Sequence, residues 1–315
     1  MPISPEKTTA PDAFERFTHT ASGKSFSGLH FGDTSKPLQG LFLHANGFNA
    51  HTYKSLLGPL SKTYSIAALD QRGQGRSALK LSPDTRSWQI LCEDIIDWID
   101  AQAPKGLAIA GHSLGGCVAL MVANQRPDLV KGLLLIDPVI LPRAFYRMIH
   151  LNPFSSSLSK LHPMASQAMK RRRFFSSLED AKASYTGRGA FKSWTGDFLQ
   201  DYLVDGLKER DMSGHVEEND ALPLELSCSP ETESTVFAAQ RNRPWQALKG
   251  AQKAGVPFYL LRGEFHSVMN RYVIKSIALK YAGIEIKTQS DSTHFIPMER
   301  PEYVRHEIRA LMERV

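Results

Sequence analysis

The sequence predicts an α/β protein with a mostly parallel sheet and helices on both faces. Short, near-continuous apolar runs alternate with segments of helical periodicity along most of the 315 residues. This is how strands buried on both faces and joined by helical crossovers read. The run that begins at Leu107 turns sharply through Gly111-His112-Ser113-Leu114-Gly115 into helix formers that stop at Arg126-Pro127, which is strand, turn and helix closed by proline. The alternation breaks once, between residues 141 and 251, and resumes at Val256.

Taken in order, residues 14–32 hold two short alternating runs about Ser22-Gly23-Lys24, an antiparallel pair for the sheet edge. Gly40-Leu41-Phe42-Leu43-His44-Ala45 is a buried strand ending in the loop Asn46-Gly47-Phe48-Asn49-Ala50. A helix over 52–60 leads to a second buried strand, 65–69, which ends at Asp70-Gln71-Arg72-Gly73-Gln74-Gly75-Arg76-Ser77. Segment 85–103 sets Trp88, Leu91, Ile95 and Ile99 at helical spacing and supplies the crossover to the Ser113 strand. Strand 130–136 ends at Asp137-Pro138. Helices are then expected at 157–173, 178–184, 197–209 and 231–240, with 224–228 the one candidate strand between them. Strand 256–263, a helix over 267–282, strand 284–288, His294 and an amphipathic helix over 301–314 complete the chain. The expected organisation is a core from residues 1–140 and 252–315, with 141–251 as a helical insertion.

Apolar residues make up 42% and charged residues 22% of the chain, and the net charge is +6, values of a soluble globular protein. The run Lys170-Arg171-Arg172-Arg173 reads as a solvated helix face, and no nucleic-acid motif accompanies it, so no nucleic-acid partner is expected. Three scattered cysteines, Cys92, Cys117 and Cys228, imply no disulfide framework and a reducing, cytoplasmic setting. Cys117 is expected to be packed. Met1-Pro2-Ile3-Ser4-Pro5-Glu6-Lys7 lacks an apolar signal core. Residues 106–123 are apolar enough to suggest a membrane span, but they contain His112, Ser113 and four glycines. Strand plus helix is the better account, and no membrane insertion is expected. Without zinc spacing, a Walker lysine or a dinucleotide glycine fingerprint, no metal and no cofactor is expected.

A serine hydroxyl becomes a nucleophile only with a base to take its proton, a group to orient that base and donors for the oxyanion. Taken alone, Gly111-His112-Ser113-Leu114-Gly115 also describes a turn whose serine merely caps a helix, so the partners decide. Parallel sheets carry their working residues on the loops after the strands' carboxyl ends. His294, between the last strand and the last helix, is the candidate base. The N–H groups of Leu114, at the helix start, and of Asn46, in the loop after an earlier strand, are the candidate oxyanion donors. His44 is expected to brace that loop. Two carboxylates qualify as the orienting acid, Asp137 and Glu264, and either keeps the chain order serine, acid, histidine. Asp137 is preferred, because a short carboxylate at a strand end stiffened by Pro138 loses little entropy on binding the imidazole.

These motifs together resemble the α/β-hydrolase superfamily, in its branch of cap-bearing, esterase- or lipase-like serine hydrolases. The likeness rests on His44-Ala45-Asn46-Gly47-Phe48, Asp70-x-Arg72-Gly73-x-Gly75-x-Ser77, Gly111-His112-Ser113-Leu114-Gly115-Gly116 and His294-x-x-Pro297-x-Glu299-Arg300-Pro301. The resemblance implies an α/β-hydrolase fold, a Ser113 nucleophile in an elbow flanked by Gly111 and Gly115, a His294 base and an oxyanion hole from Asn46 and Leu114. It also implies that 141–251 caps the site. Two departures stand out. Relatives usually carry His-Gly where this chain has His44-Ala45. They also usually place an aspartate after the penultimate strand, where Phe265, His266, Ser267 and Val268 stand here. Some relatives take the acid from the strand after the elbow helix, which matches Asp137.

The insertion is rich in aromatic residues, including Phe145, Tyr146, Phe191, Trp194 and Tyr202. Most are expected to pack between cap elements and some to face the site, which favours a small or hydrophobic carboxylic ester as substrate. Thioester, carbon–carbon and acyl-transfer chemistry would share the same acyl-enzyme and stay open as alternatives. Epoxide-hydrolase and dehalogenase relatives carry aspartate at the position of Ser113. A binding protein that keeps the fold without turnover is the alternative of another class.

Overall fold

The computed structural model describes residues 14–151, 163–210, 222–281 and 283–314. The expectations for Met1–Lys7 and for the first part of the 157–173 helix lie outside these residues. The chain opens with a hairpin, β1 (Phe14–Ala21) and β2 (Lys24–Phe31), turning on Ser22 and Gly23, both at positive φ. β3 (Gly40–Leu43) runs into a 3₁₀ turn (Ala50–Tyr53), the four-residue α1 (Lys54–Leu57) and β4 (Ile66–Leu69). α2 (Gln89–Gln102), β5 (Leu107–His112), α3 (Leu114–Gln125) and β6 (Val130–Ile136) follow. The inserted stretch then supplies α4 (Arg143–Leu151), α5 (Pro163–Met169), β7 (Phe174–Phe175), α6 (Leu178–Tyr185), α7 (Phe198–Gly206), β8 (Leu207–Glu209), β9 (Leu224–Leu226), α8 (Pro230–Ala238) and α9 (Pro244–Lys253). β10 (Phe258–Gly263), α10 (Arg271–Lys280), β11 (Glu285–Gln289), a single turn α11 (Ile296–Glu299) and α12 (Pro301–Met312) close the fold.

The main sheet has eight strands in the order β1-β2-β4-β3-β5-β6-β10-β11. β1, β2 and β4 pair antiparallel, and every pairing from β4 through β11 is parallel. The register levels the carboxyl ends of the central strands: Leu43 pairs with Gly111, Gly111 with Leu135 and Ile136 with Leu261. The residues that follow these strands therefore emerge along one edge. This is the α/β-hydrolase fold that the motifs imply.

Each face of the sheet carries its own apolar layer. Trp98, Ile99, Val118, Leu248 and Ile277 belong to one, and Tyr53, Leu56, Phe175, Tyr202 and Ile308 to the other. Phe175 and Tyr202 come from the inserted stretch, so part of it shares the core rather than forming one of its own. Among the described residues no helix is long and apolar enough to cross a membrane.

The stretch between β6 and β10 is less helical than expected: the candidate strand within 224–228 is present as β9, and two further short strands, β7 and β8, join it. β7, β9 and β8 form a small antiparallel sheet, and the helix expected over 197–209 ends at Gly206, where Leu207 turns extended. Runs of two or three residues carry too little periodicity to be told from a helix end. The basic run is likewise no solvated helix face. α5 stops at Met169, and the half-buried Arg171 pairs with the Glu233 carboxylate, with the hydroxyls of Tyr185 and Tyr202 accepting from its Nη2 at 3.0 and 2.7 Å. Arg172 pairs with Asp180 at 2.6 Å and Arg173 with Glu225 at 3.1 Å. Most of these partners stand far along the chain, so the local pattern does not show them.

α3 passes close against the end of β3. A β-carbon on Gly115 would overlap the Leu43 carbonyl and lie 2.8 Å from the His44 carbonyl oxygen. Backbone on both sides leaves nothing to give way. Gly115→Ala is therefore expected to cost about 3 kcal/mol, at the upper end for overpacking, as a lower denaturant midpoint in equilibrium unfolding.

Candidate active site

Ser113 sits between β5 and α3 with φ 57° and ψ −113°, a strained conformation for a side chain bearing a β-carbon. The strain is held by hydrogen bonds on both sides: its N–H donates to Ile136 O (2.8 Å), and its carbonyl accepts from Cys117 N (3.2 Å) and Val139 N (3.3 Å). A β-carbon on Gly111 would meet the Gly115 carbonyl carbon at 2.5 Å and the Gly116 nitrogen at 2.6 Å, so both elbow glycines admit the turn. The hydroxyl is thereby presented at the sheet's working edge, above the first turn of α3.

His294 reaches that hydroxyl from the loop after β11. Its Nε2 lies 2.9 Å from Ser113 Oγ and its Nδ1 2.8 Å from Asp137 Oδ2. A carboxylate can only accept, so Nδ1 carries the proton and the Nε2 lone pair faces the serine hydroxyl. Asp137 is wholly buried at φ 41° directly after β6, with its N–H donating to Leu261 O at 2.6 Å. Of the two candidate acids, the structure thus brings Asp137 to His294. Glu264 is exposed, and its carboxylate instead accepts from the Asp291 N–H at 3.0 Å.

The loop after β3 is braced as expected. His44 is fully buried; its Nδ1–H donates to Ala45 O (2.8 Å) and its Nε2 accepts from Gln71 N (2.9 Å). Burial pushes its pKa down to about 4, so the ring stays neutral. Gln71 Nε2 donates to His44 O at 2.6 Å, and Gln74 Oε1 accepts from Gly47 N at 2.6 Å. Asn46 Nδ2 donates to the Glu233 carbonyl at 3.0 Å, tying the loop to α8 of the inserted stretch. Among the described residues the backbone N–H groups of Asn46 and Leu114 have no acceptor, which leaves both free for an oxyanion.

Two polar residues at the site carry no sequence signal strong enough to single them out. Tyr53 accepts from the Ala45 N–H (3.2 Å) and donates to His112 Nδ1 (2.7 Å), and His112 Nε2–H donates to the His294 carbonyl (2.8 Å). This relay joins the oxyanion loop, the elbow and the His294 loop; burial, then the neighbouring His294, hold the His112 ring well below the usual imidazole range. Ser267, the other, donates its hydroxyl to Asp137 Oδ1 at 2.6 Å and accepts from Met269 N at 3.1 Å. It stands in the loop where relatives are expected to carry their acid, and that expectation was the available hint. Cys117 is buried as expected, its thiol pushed up to about 12 by desolvation. Aromatic residues of the insertion reach the site: Trp194 packs edge-on against Phe48 (5.2 Å between centroids) and beside Phe295 (6.1 Å). Among the described residues no cluster of three or more histidine, cysteine or carboxylate side chains is placed to hold a metal.

The model of the family described as "Alpha/beta hydrolase family" matches residues 41–307. An esterase of Mycobacterium tuberculosis is 32% identical over 127 residues, 40% of each chain. Epoxide hydrolase 4 of Mus musculus is 28% identical over 116 residues, 37% of this chain and 32% of that one. The chain thus spans about two fifths or less of the length of the curated relatives it matches. Among solved structures, E-2-(acetamidomethylene)succinate hydrolase superposes with a TM-score of 0.75 at 18% identity, over 95% of this chain and 99% of that one.

Ser267→Ala removes a charge-assisted hydrogen bond from a buried carboxylate. It is expected to slow the reaction of Ser113 with a p-nitrophenyl ester about tenfold, with Ser267→Thr recovering most of the rate. Equal rates for Ser267→Ala and wild type would show that the hydroxyl does not position Asp137.

Proposed function

The chain belongs to the alpha/beta hydrolase family, and on that premise we propose that it is a serine hydrolase that cleaves carboxylic esters through an acyl-enzyme on Ser113. The observation that carries the reading is the His294 ring held between Ser113 Oγ (2.9 Å) and Asp137 Oδ2 (2.8 Å). His294 Nε2 takes the hydroxyl proton as Oγ attacks the acyl carbon, and the carbonyl electron pair moves onto oxygen. That oxyanion is received by the N–H groups of Asn46 and Leu114, at the positive end of α3. Collapse breaks the bond to the alcohol, which leaves with the proton from His294. Water, deprotonated by the same nitrogen, then attacks the acyl-enzyme and releases the acid. Asp137 keeps the imidazole in the required tautomer and stabilises the imidazolium.

The stretch 141–251 acts in this reading as a cap. The Phe295 ring beside His294, with the Trp194 and Phe48 rings packed around it, favours a hydrophobic acyl or alkyl group, because an apolar wall rewards apolar area. Thioester cleavage, carbon–carbon cleavage and acyl transfer on the same triad are the second reading, since only the leaving group or the final acceptor differs.

Exposure of the intact protein to a fluorophosphonate, followed by mass spectrometry, asks for an activated serine without choosing a substrate. One adduct on wild type and none on Ser113→Ala is expected; no adduct on folded wild type would favour a non-catalytic binding protein. Among acid variants, Asp137→Asn is expected to lower kcat by about 10⁴, as loss of the tautomer-fixing carboxylate does in serine hydrolases of this type. Glu264→Gln is expected to stay within a few-fold of wild type, and the reverse ranking would refute the assignment of the acid.

A further inference from the structure

Away from the triad, α4 and the start of α9 enclose a groove of about 480 Å³. From α4 it takes Arg143, Tyr146, Arg147, His150 and Leu151, positions spaced by three or four residues that form one helical stripe. The opposite wall is Asn242 to Gln246, with Arg243 at the N-cap of α9. Among the described residues no Asp or Glu lines the groove, nor the adjoining one of about 340 Å³ that shares Arg243.

This placement runs against local electrostatic preference. Arg143 and Arg147 are like charges four residues apart on one helix face, and Arg243 sets a cation at the positive end of a helix dipole. Elsewhere Arg72, Arg76, Arg126, Arg171, Arg172 and Arg173 each meet a carboxylate. Among the described residues Arg143, Arg147 and Arg243 meet none. Arg143 is nevertheless held in place. Its guanidinium lies 4.5 Å from the Trp245 ring centroid, its Nη2 donates to Tyr281 OH at 2.7 Å, and its Nε–H is buried with no acceptor. His150 Nε2–H donates to Asn242 O at 3.0 Å and links the two walls. Among the described residues the structure thus presents a fixed cation beside two exposed ones with no counter-charge, the arrangement that suits an anion with several oxygens.

We propose that this groove binds the phosphate group of an amphiphilic phosphate ester. Three guanidinium forks offer more donors than the two oxygens of a carboxylate can use, whereas a phosphate presents three or four. Beside the cations, Tyr146 and Trp245 are buried and Leu151 is 78% exposed, an apolar strip on which the hydrocarbon part of such a ligand lies. The groove also adjoins the triad's own backbone. Trp245 Nε1–H donates to Leu141 O at 2.9 Å, four residues beyond Asp137, and the Val139 N–H between them donates to Ser113 O. A phosphate-bearing ligand held there lies at the flank of the nucleophile turn. The ligand is either a soluble phosphate ester or the headgroup of a lipid in a membrane surface; the chemistry of recognition is the same.

The test is calorimetric titration of the full chain with hexyl phosphate, with hexanol and inorganic phosphate as controls, for wild type and the double variant Arg147→Gln/Arg243→Gln. Both arginines are exposed and outside the catalytic machinery, so fluorophosphonate labelling of Ser113 reports separately on the proposed hydrolase and on folding. Hexyl phosphate is expected to bind at least roughly tenfold more tightly than either control, to weaken with salt, and to lose about tenfold in affinity in the double variant. A second arm measures co-sedimentation with vesicles of phosphatidylcholine containing phosphatidylglycerol. Sedimentation of wild type but not of the variant identifies a lipid source, and hexyl phosphate binding without sedimentation a soluble one. Equal affinity of wild type and variant for hexyl phosphate, or no saturable binding at millimolar concentration, overturns the proposal.

Discussion

The close passage of α3 across the end of β3 is the constraint on which the rest of the site depends. Gly115 lies against the carbonyls of Leu43 and His44, and the same approach carries the first turn of α3 to the edge where the β3 loop begins. A side chain there would part the two segments and, with them, the backbone N–H groups of Asn46 and Leu114. The positive φ of Ser113 is the other half of this geometry. A turn that sharp is sustained only because its backbone groups are bonded to β6 and to the stretch after it.

Polar wiring converts this backbone geometry into a rigid constellation. From Ala45 through Tyr53 and His112 to the His294 carbonyl, each group is used by the next, and burial keeps the His112 ring neutral so that it can donate on one side and accept on the other. The Asp137 carboxylate is similarly claimed by His294 and Ser267. The loop after β10, where the motifs lead to the expectation of an aspartate, carries Ser267, whose hydroxyl donates to Asp137 at the end of the neighbouring strand β6.

The stretch between β6 and β10 is hydrogen-bonded to this centre through the Glu233 carbonyl. Arg171 and Glu233 both belong to it, and the Glu233 carbonyl holds the Asn46 side chain. The position of the oxyanion loop therefore depends on residues inserted between β6 and β10. A buried ion pair of this kind contributes little net stability, since desolvation offsets most of its attraction, but loss of one partner strands the other. The arginines of α4 and of the start of α9 contrast with it: among the described residues Arg143, Arg147 and Arg243 meet no carboxylate, and Arg147 and Arg243 are exposed.

Much of this molecule is legible in its sequence because the relevant signals are local. Apolar strands of four to seven residues, the glycine-flanked Ser113, the Pro138 after Asp137 and the loop position of His294 are each recorded within a few neighbouring residues. The order of the pieces along a parallel sheet then places them at one edge. What the sequence left open was pairing at a distance. Asp137 and Glu264 were both admissible as the acid until the register of β6 and β10 set Asp137 against the His294 ring. Arg171 read as solvated until Glu233 and two tyrosines closed on it. Ser267, Tyr53 and the strands β7 and β8 had no signature of their own, because a hydroxyl, a phenol or a strand of two or three residues acquires its role only from what folding brings beside it; of the small sheet only β9 was legible, within 224–228. The sequence by itself determined the sheet and the elbow and singled out Ser113 and His294; only the tertiary structure decided which carboxylate meets His294, what supports it and the fate of the basic run, since hydrogen bonds and ion pairs form between residues near in space and leave no periodicity along the chain.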